Sequence, residues 1–180
     1  MATTALIVEM LVIGSSALVW ITLFVLSRWG QKLLPAIEAL EPVADWIPLL
    51  SIIGIGLLYQ LGWLLNFISQ VLIESWGGGT LIRKSIFKRE SLEYESVRLA
   101  VYQKASIDAR ADLGLDRSVV RLSRAAIINF CTTGLVLFYY PSVPKLVPCA
   151  ILLLSILCWV QWYVRFTRYY RRMIKLYLLI

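Results

Sequence analysis

The chain has 180 residues, of which 59% are hydrophobic and 16% are charged, and its mean hydropathy is +0.75. This apolar content exceeds the roughly 45–50% that soluble domains contain, so an ordinary soluble domain is excluded. The 18 Lys and Arg outnumber the 11 Asp and Glu, and His is absent, which removes the commonest general base and a common metal ligand. We therefore expect an integral membrane protein that is not an enzyme and has no metal or other cofactor.

Residues 5–27 form the first apolar run, which is long enough to cross a hydrocarbon core of roughly 30 Å. Residues 28–45 are too polar to span, and the helical spacing of their apolar side chains predicts a short helix in the outer interface. Three acidic residues of this segment are expected to surround the outer mouth of a pore and to favour cations: Glu38, Glu41 and Asp45.

The second apolar run covers residues 46–73, and polar side chains recur every four residues near and just beyond its end: Asn66, Gln70 and Glu74. Polar groups on a spanning helix are costly against lipid, so these side chains should face water or protein. Because four helices are too few to enclose a pore within one chain, we predict that the three residues line a pore on the axis of a homo-oligomer.

Residues 75–124 hold 10 of the 18 Lys and Arg, and we expect them to form a helical insert in the cytosol. The insert opens with three glycines that predict a hinge: Gly77, Gly78 and Gly79. A helix is predicted over residues 91–113, followed by a break at Gly114. A second helix, capped by Asp116, is predicted to continue into the membrane.

Five basic residues of the insert are the predicted binding site for an anionic ligand such as a nucleotide or an oligonucleotide: Arg98, Lys104, Arg117, Arg121 and Arg124. The last three recur at i, i+4 and i+7, which places them on one side of a helix. Contact of this stripe with phospholipid headgroups is the alternative interpretation.

Three carboxylates of the insert also recur every four residues: Asp108, Asp112 and Asp116. Such spacing would stack them on an uninterrupted helix, as in some metal-dependent phosphotransferases. We interpret them instead as a solvated face that forms salt bridges with Arg110 and Arg117.

Residues 125–140 and 149–164 form the third and fourth apolar runs, joined by a proline-rich turn. Aromatic residues at the end of the fourth run predict a belt at the membrane interface: Trp159, Trp162, Tyr163, Phe166, Tyr169 and Tyr170. The insert and the cationic tail together hold 15 of the 18 Lys and Arg, so both termini are expected on the cytoplasmic side of a bacterial inner membrane.

The predicted fold is all-α, with four transmembrane helices arranged as two hairpins and a helical cytosolic insert between spans 2 and 3. Residues 1–74 would form the first hairpin with its outer interfacial helix. Residues 75–124 would form the basic insert, and residues 125–180 the second hairpin with its cationic tail.

This two-hairpin plan over residues 5–164 and the closing segment WVQWYVRFTRYYRR resemble the small four-span membrane subunits of bacterial anti-phage systems such as Kiwa and Hailong. The resemblance implies a multimeric membrane effector that a cytosolic partner or signal controls. The leading hypothesis is a homo-oligomeric ion channel or pore surrounded by membrane lipids, with a tetramer favoured. A nucleotide, an oligonucleotide or a cytosolic partner protein would control it. The alternative is a non-conducting scaffold that docks a cytosolic partner on the membrane.

Overall fold

The computed structural model describes residues 2–38, 47–76 and 78–180, and these contain six α-helices and no strand. The helices are α1 (Ala2–Glu38), α2 (Ile47–Ser69), α3 (Gly79–Arg89), α4 (Tyr94–Lys104), α5 (Ile107–Phe138) and α6 (Leu146–Leu178). A π-helical segment, Gln70–Trp76, extends α2 towards α3. The all-helical prediction is therefore confirmed for these residues.

Four of the helices are long and apolar enough to cross a membrane, over Thr4–Gly30, Leu50–Trp76, Ile107–Phe138 and Leu146–Leu178. Their number and order confirm the four apolar runs found in the sequence. The assignment of two transmembrane hairpins around a cytosolic insert stays a prediction.

Helices α1 and α2 pack antiparallel through two glycines. Gly14 lies against the backbone of Leu58, and Gly62 lies against the backbone of Met10. A Cβ atom on either glycine would overlap main-chain atoms of the other helix, so this close approach depends on the missing side chains.

Helices α5 and α6 also run antiparallel. The Ser155 hydroxyl of α6 donates to the Ile127 carbonyl oxygen of α5 at 2.9 Å, and Leu152 packs on Gly134 further along α5. This pair forms the most extensive helix contact in the described part of the chain.

Helices α1 and α5 run parallel. The hydrogen bonds between them show this, because residues later in α1 bond residues later along α5. Arg121 bonds Glu9, Asn129 bonds Ser16, and Tyr140, just beyond α5, bonds the carbonyl of Leu23: the three pairs follow one another in sequence. The start of α1, the ends of α2 and α6 and the start of α5 therefore lie at one end of the bundle. We call it the α3–α4 end, because α3 and α4 connect there.

A hydrophobic core fills the α3–α4 end, where α3 and α4 cover the beginning of α5 and the C-terminal half of α6. Phe87 of α3 and Tyr94 of α4 each meet Tyr170 of α6 edge to face, with ring centroids 5.8 and 5.7 Å apart. Val97 and Val101 of α4 are fully buried in the same core.

The predicted aromatic belt on α6 is largely wrong. Four of its six members are buried in this core: Trp162, Phe166, Tyr169 and Tyr170. They point towards α3, α4 and α5 instead of towards an interface. Only Trp159 and Tyr163 are exposed, and their stacked rings remain suited to an interface.

Two predicted helix boundaries near the start of α5 are also wrong. Helix α5 passes through Gly114 without a break, and the break comes earlier, between Lys104 and Ile107. Ser106 caps α5 instead of Asp116, accepting a hydrogen bond from the Ala109 amide at 3.2 Å. One exposed glycine costs only about 1 kcal/mol within a helix, which the surrounding turns offset.

The first helix does not end at residue 27 but continues to Glu38, through the region assigned to a separate interfacial helix. Glu38 is therefore the last residue of α1. Glu41 and Asp45 lie outside the described residues, so the outer acidic mouth stays a prediction.

Replacing Gly62 with Ala should separate α1 from α2, because the new Cβ atom would meet the Met10 carbonyl group. We expect the free energy of unfolding in mixed micelles to fall by about 1–3 kcal/mol, the usual range for overpacking. Gly54→Ala is the matched control on the same helix, since its Cβ would meet nothing within 4 Å. Equal losses in the two variants would contradict this packing.

Candidate anion-binding cavity

The most buried charge in the described chain is Arg124 on α5, whose relative exposure is 2%. Its Nε donates to the Ser69 hydroxyl at 3.2 Å, its Nη2 donates to the side-chain Oδ1 of Asn66 at 2.8 Å, and its Nη1 bonds the Glu74 carboxylate. All three guanidinium nitrogens are thus bonded to side chains of α2 and its π-helical extension. A buried charge is tolerated when it is paired and hydrogen-bonded in this way.

The end of α2 brings Glu74 to Arg124. Gln70–Trp76 adopts the wider π-helical turn, a feature that is frequent at functional sites in helices. Gly79 then packs on this turn, and a Cβ atom there would lie only 2.9 Å from the Glu74 Cα atom.

Gly78 and Gly79 form the tight turn into α3. Gly78 has a φ of 85°, a left-handed conformation that favours glycine, and its carbonyl accepts from the Ile82 amide at 3.0 Å. Gly77 lies outside the described residues. The proposed hinge motion of the triplet stays a prediction.

A second arginine of the predicted stripe, Arg121, forms a bidentate ion pair with Glu9 of α1. Its Nε and Nη2 donate to the two carboxylate oxygens at 2.7 and 2.8 Å, and Nη2 also donates to the Ser118 hydroxyl at 3.2 Å. Glu9 is 4% exposed. Sequence reasoning missed this partner, although a lone carboxylate in an apolar run signals that a buried partner is needed.

These two ion pairs border a cavity of about 290 Å³ at the α3–α4 end, which we call the arginine cavity. Five arginines line it: Arg83, Arg98, Arg117, Arg121 and Arg124. The lining contains only two carboxylates, Glu74 and Glu95, so the cavity carries an excess of positive charge. Three tyrosine rings, those of Tyr94, Tyr169 and Tyr170, complete much of the wall.

The cavity unites two groups of residues that the sequence suggested separately. The predicted pore-lining residues Asn66, Gln70 and Glu74 line it, and so do four of the five predicted ligand-binding residues, Arg98, Arg117, Arg121 and Arg124. Lys104 ends α4 and does not line it. Pairing with Arg124 within one chain accounts for Asn66 and Glu74, while a role in lining a pore stays a prediction.

Arg83 is a cavity residue that sequence reasoning did not select. Its guanidinium lies over the ring of Tyr94, 5.0 Å from the centroid. The only signal was its place in the basic cluster after the glycines, which pointed to no particular site. Arg83 reaches the cavity only because α3 packs beside α4, and its local sequence does not encode that packing.

Arginines of the cavity differ in their pairing. Arg121 and Arg124 are occupied by buried carboxylates, whereas Arg98 has only a 3.6 Å contact with the exposed carboxylate of Glu95. Among the described residues, no carboxylate lies within 4.0 Å of Arg83 or Arg117. These last two, with Arg98, are the cavity arginines that no buried carboxylate of the described chain holds, and guanidinium groups are well suited to bind an oxyanion.

The acidic stripe on α5 lies outside the cavity. Arg172 of α6 bonds Asp112 at 2.7 Å and Asp116 at 3.1 Å, in place of the predicted partners Arg110 and Arg117. Within the described residues, no group of three or more Cys, Asp or Glu is placed to hold a metal ion.

Comparison of the chain with family models, curated proteins and solved structures finds no match.

Replacing Arg121 with Met should leave the Glu9 carboxylate buried without its partner. We expect the free energy of unfolding in mixed micelles to fall by about 3–5 kcal/mol, and much of this loss to be recovered in Glu9→Gln/Arg121→Met. Arg172→Met is the matched control, because its ion pairs are partly exposed and should contribute no more than about 1 kcal/mol. A similar loss in Arg121→Met and Arg172→Met would show that the Glu9 pair is not buried in the membrane-embedded protein.

Proposed function

We propose that this chain is a multi-pass protein of a bacterial inner membrane whose activity is controlled by a small phosphate-bearing ligand in the arginine cavity. The observation that carries the proposal is that three of the five arginines around one recess, Arg83, Arg98 and Arg117, are not held by a buried carboxylate of the described chain. Like charges brought together repel one another, so an anion that bridges them would bind favourably.

The size of the cavity supports a compact ligand. Its volume of about 290 Å³ lies at the lower limit of ordinary ligand sites, which span roughly 300–1,000 Å³. This suits a mononucleotide or another small organic phosphate better than an oligonucleotide. The rings of Tyr94 and Tyr169 offer apolar surface for a base or sugar beside the cationic groups.

The cavity would open towards the cytoplasm. Segments at the α3–α4 end carry most of the Lys and Arg of the chain, and cationic segments beside spanning helices are retained on the cytoplasmic side. A cytosolic metabolite would then reach Arg83, Arg98 and Arg117 without crossing the membrane.

A ligand in the cavity could act on the spans through α5. Arg117, Arg121 and Arg124 lie on this one helix, which continues without a break to Phe138. A phosphate that draws Arg117 towards α3 and α4 would displace α5. That displacement would strain the ion pairs that connect α5 to α1 and α2. Such a shift of a rigid helix is a common form of switching.

The proposed output is ion conduction by a homo-oligomer, with a tetramer favoured, in an anti-phage effector of the Kiwa or Hailong type. Within one chain the long helices pack directly on one another, so a conducting path would have to form between copies. Large apolar side chains on α2, such as Ile52, Leu57 and Phe67, are more than half exposed and offer surface for lipid or for other copies.

The ligand proposal is tested by adding small organic phosphates to purified protein in liposomes while recording thermal unfolding and potassium flux. We expect at least one nucleoside phosphate, cyclic mononucleotide or sugar phosphate to raise the unfolding temperature and to change the flux. Arg117→Gln should weaken its binding roughly 10- to 100-fold, the loss expected for a charged hydrogen bond.

Lys104→Gln is the control for this experiment, since it removes a neighbouring cation that does not line the cavity. The affinity of this variant for the phosphate should stay within about a factor of two of the affinity of the parent protein. If no phosphate binds, or if both variants weaken binding equally, the cavity is not the receptor. Binding without any change in flux would favour the alternative, a non-conducting scaffold.

A further inference from the structure

A groove of about 780 Å³ lies between α3 and α6 and shares no lining residue with the arginine cavity. Its floor is apolar, formed by Leu81, Ile82 and Ile86 of α3 with Ile174 and Leu178 of α6. Leu81 and Leu178 are 70% and 66% exposed, although they lie beside strongly basic segments. Contiguous apolar surface of this kind commonly marks an interaction site.

The rim of the groove is cationic. Arg89, Arg171 and Lys175 line it against a single carboxylate, Glu90. None of these three cations is within 4.0 Å of a carboxylate in the described part of the chain. The groove therefore combines an apolar floor with unpaired positive charge at its edge.

The position of the groove along α6 argues against lipid tails as its occupant. Between Lys145 and Arg165 the helix contains no charged residue, so its membrane-spanning part ends near Arg165. Leu178 lies 13 residues further on, about 20 Å along a helix, whereas a headgroup layer is only about 5–8 Å thick. The exposed apolar floor thus lies mostly beyond the reach of acyl chains.

We propose that the α3–α6 groove docks an acidic amphipathic helix of a cytosolic partner protein. From Tyr163 to Leu178 the groove follows α6 for about 22 Å, which matches four turns of a helix. Apolar side chains at i, i+3, i+4 and i+7 would cover the floor, and flanking Asp or Glu would meet Arg171 and Lys175.

Docking in this groove does not require a bound ligand, because the two sites have separate lining residues. They are nevertheless mechanically connected, since Tyr169 and Tyr170 of the cavity wall lie on the same helix as Arg171 and Ile174. A partner that displaced α6 would alter the cavity wall. The partner could therefore modulate the protein whether or not a small ligand is present.

Photo-crosslinking in cells that make the chain from its own gene tests the groove directly. Leu81→p-benzoylphenylalanine should yield a protein adduct, and Leu99→p-benzoylphenylalanine should not, because Leu99 is an exposed apolar residue of α4, 59% exposed, that lies outside the groove. The peptide joined to position 81 should be a helical segment with acidic residues flanking an apolar face.

Charge reversal then separates specific docking from incidental capture. Arg171→Glu/Lys175→Glu should lower the adduct yield at least tenfold, and Glu→Lys changes in the captured segment should restore it. Lys84→Glu/Lys104→Glu makes the same change in net charge outside the groove and should leave the yield unaltered. An adduct only with phospholipid, an adduct only with a second copy of this chain, equal yields at positions 81 and 99, or no adduct would each overturn the proposal.

Discussion

The buried guanidinium of Arg124 is the constraint on which the rest of the structure depends. A charge that is 2% exposed has to be met by fixed polar groups, because leaving it unpaired would cost several kcal/mol. Glu74 and Asn66 supply those groups, which forces α5 to lie beside the end of α2. The π-helical turn before Trp76 and the close packing of Gly79 follow from the same requirement, since both hold Glu74 at the arginine.

The Arg121–Glu9 pair lies one turn before Arg124 on α5, and we call the two ion pairs together the ion-pair layer. Through this layer α5 is bonded to both α1 and α2 at the same depth. The described part of the chain has two cores of different character, an apolar one between α1, α2 and α5 and a largely aromatic one among α3, α4, α5 and α6. Arginines used in the layer cannot also bind a ligand. The surplus of Arg83, Arg98 and Arg117 is what makes the adjoining cavity a candidate receptor.

The sequence predicted the four apolar runs well, because a long apolar helix is encoded locally in consecutive residues. It also marked Glu74 as a residue that should face water or protein and Arg124 as part of an anion-binding stripe, but not that the two residues pair with each other. That pairing depends on which helices pack, as does the connection of Glu9 to Arg121. The aromatic residues of α6 were misread for the same reason: a tyrosine suits a membrane interface and a helical core equally well until its neighbours are known.

A double-mutant cycle between Glu74 and Arg124 in lipid nanodiscs tests the central claim most directly. Unfolding of the parent protein, Glu74→Gln, Arg124→Met and the double variant gives the coupling energy of the pair. Our account predicts a coupling of about 2–3 kcal/mol that barely changes between low and high salt, because a buried pair is poorly screened. A coupling below about 0.5 kcal/mol, or one that disappears in high salt, would mean that Arg124 faces solvent, lipid headgroups or a ligand instead.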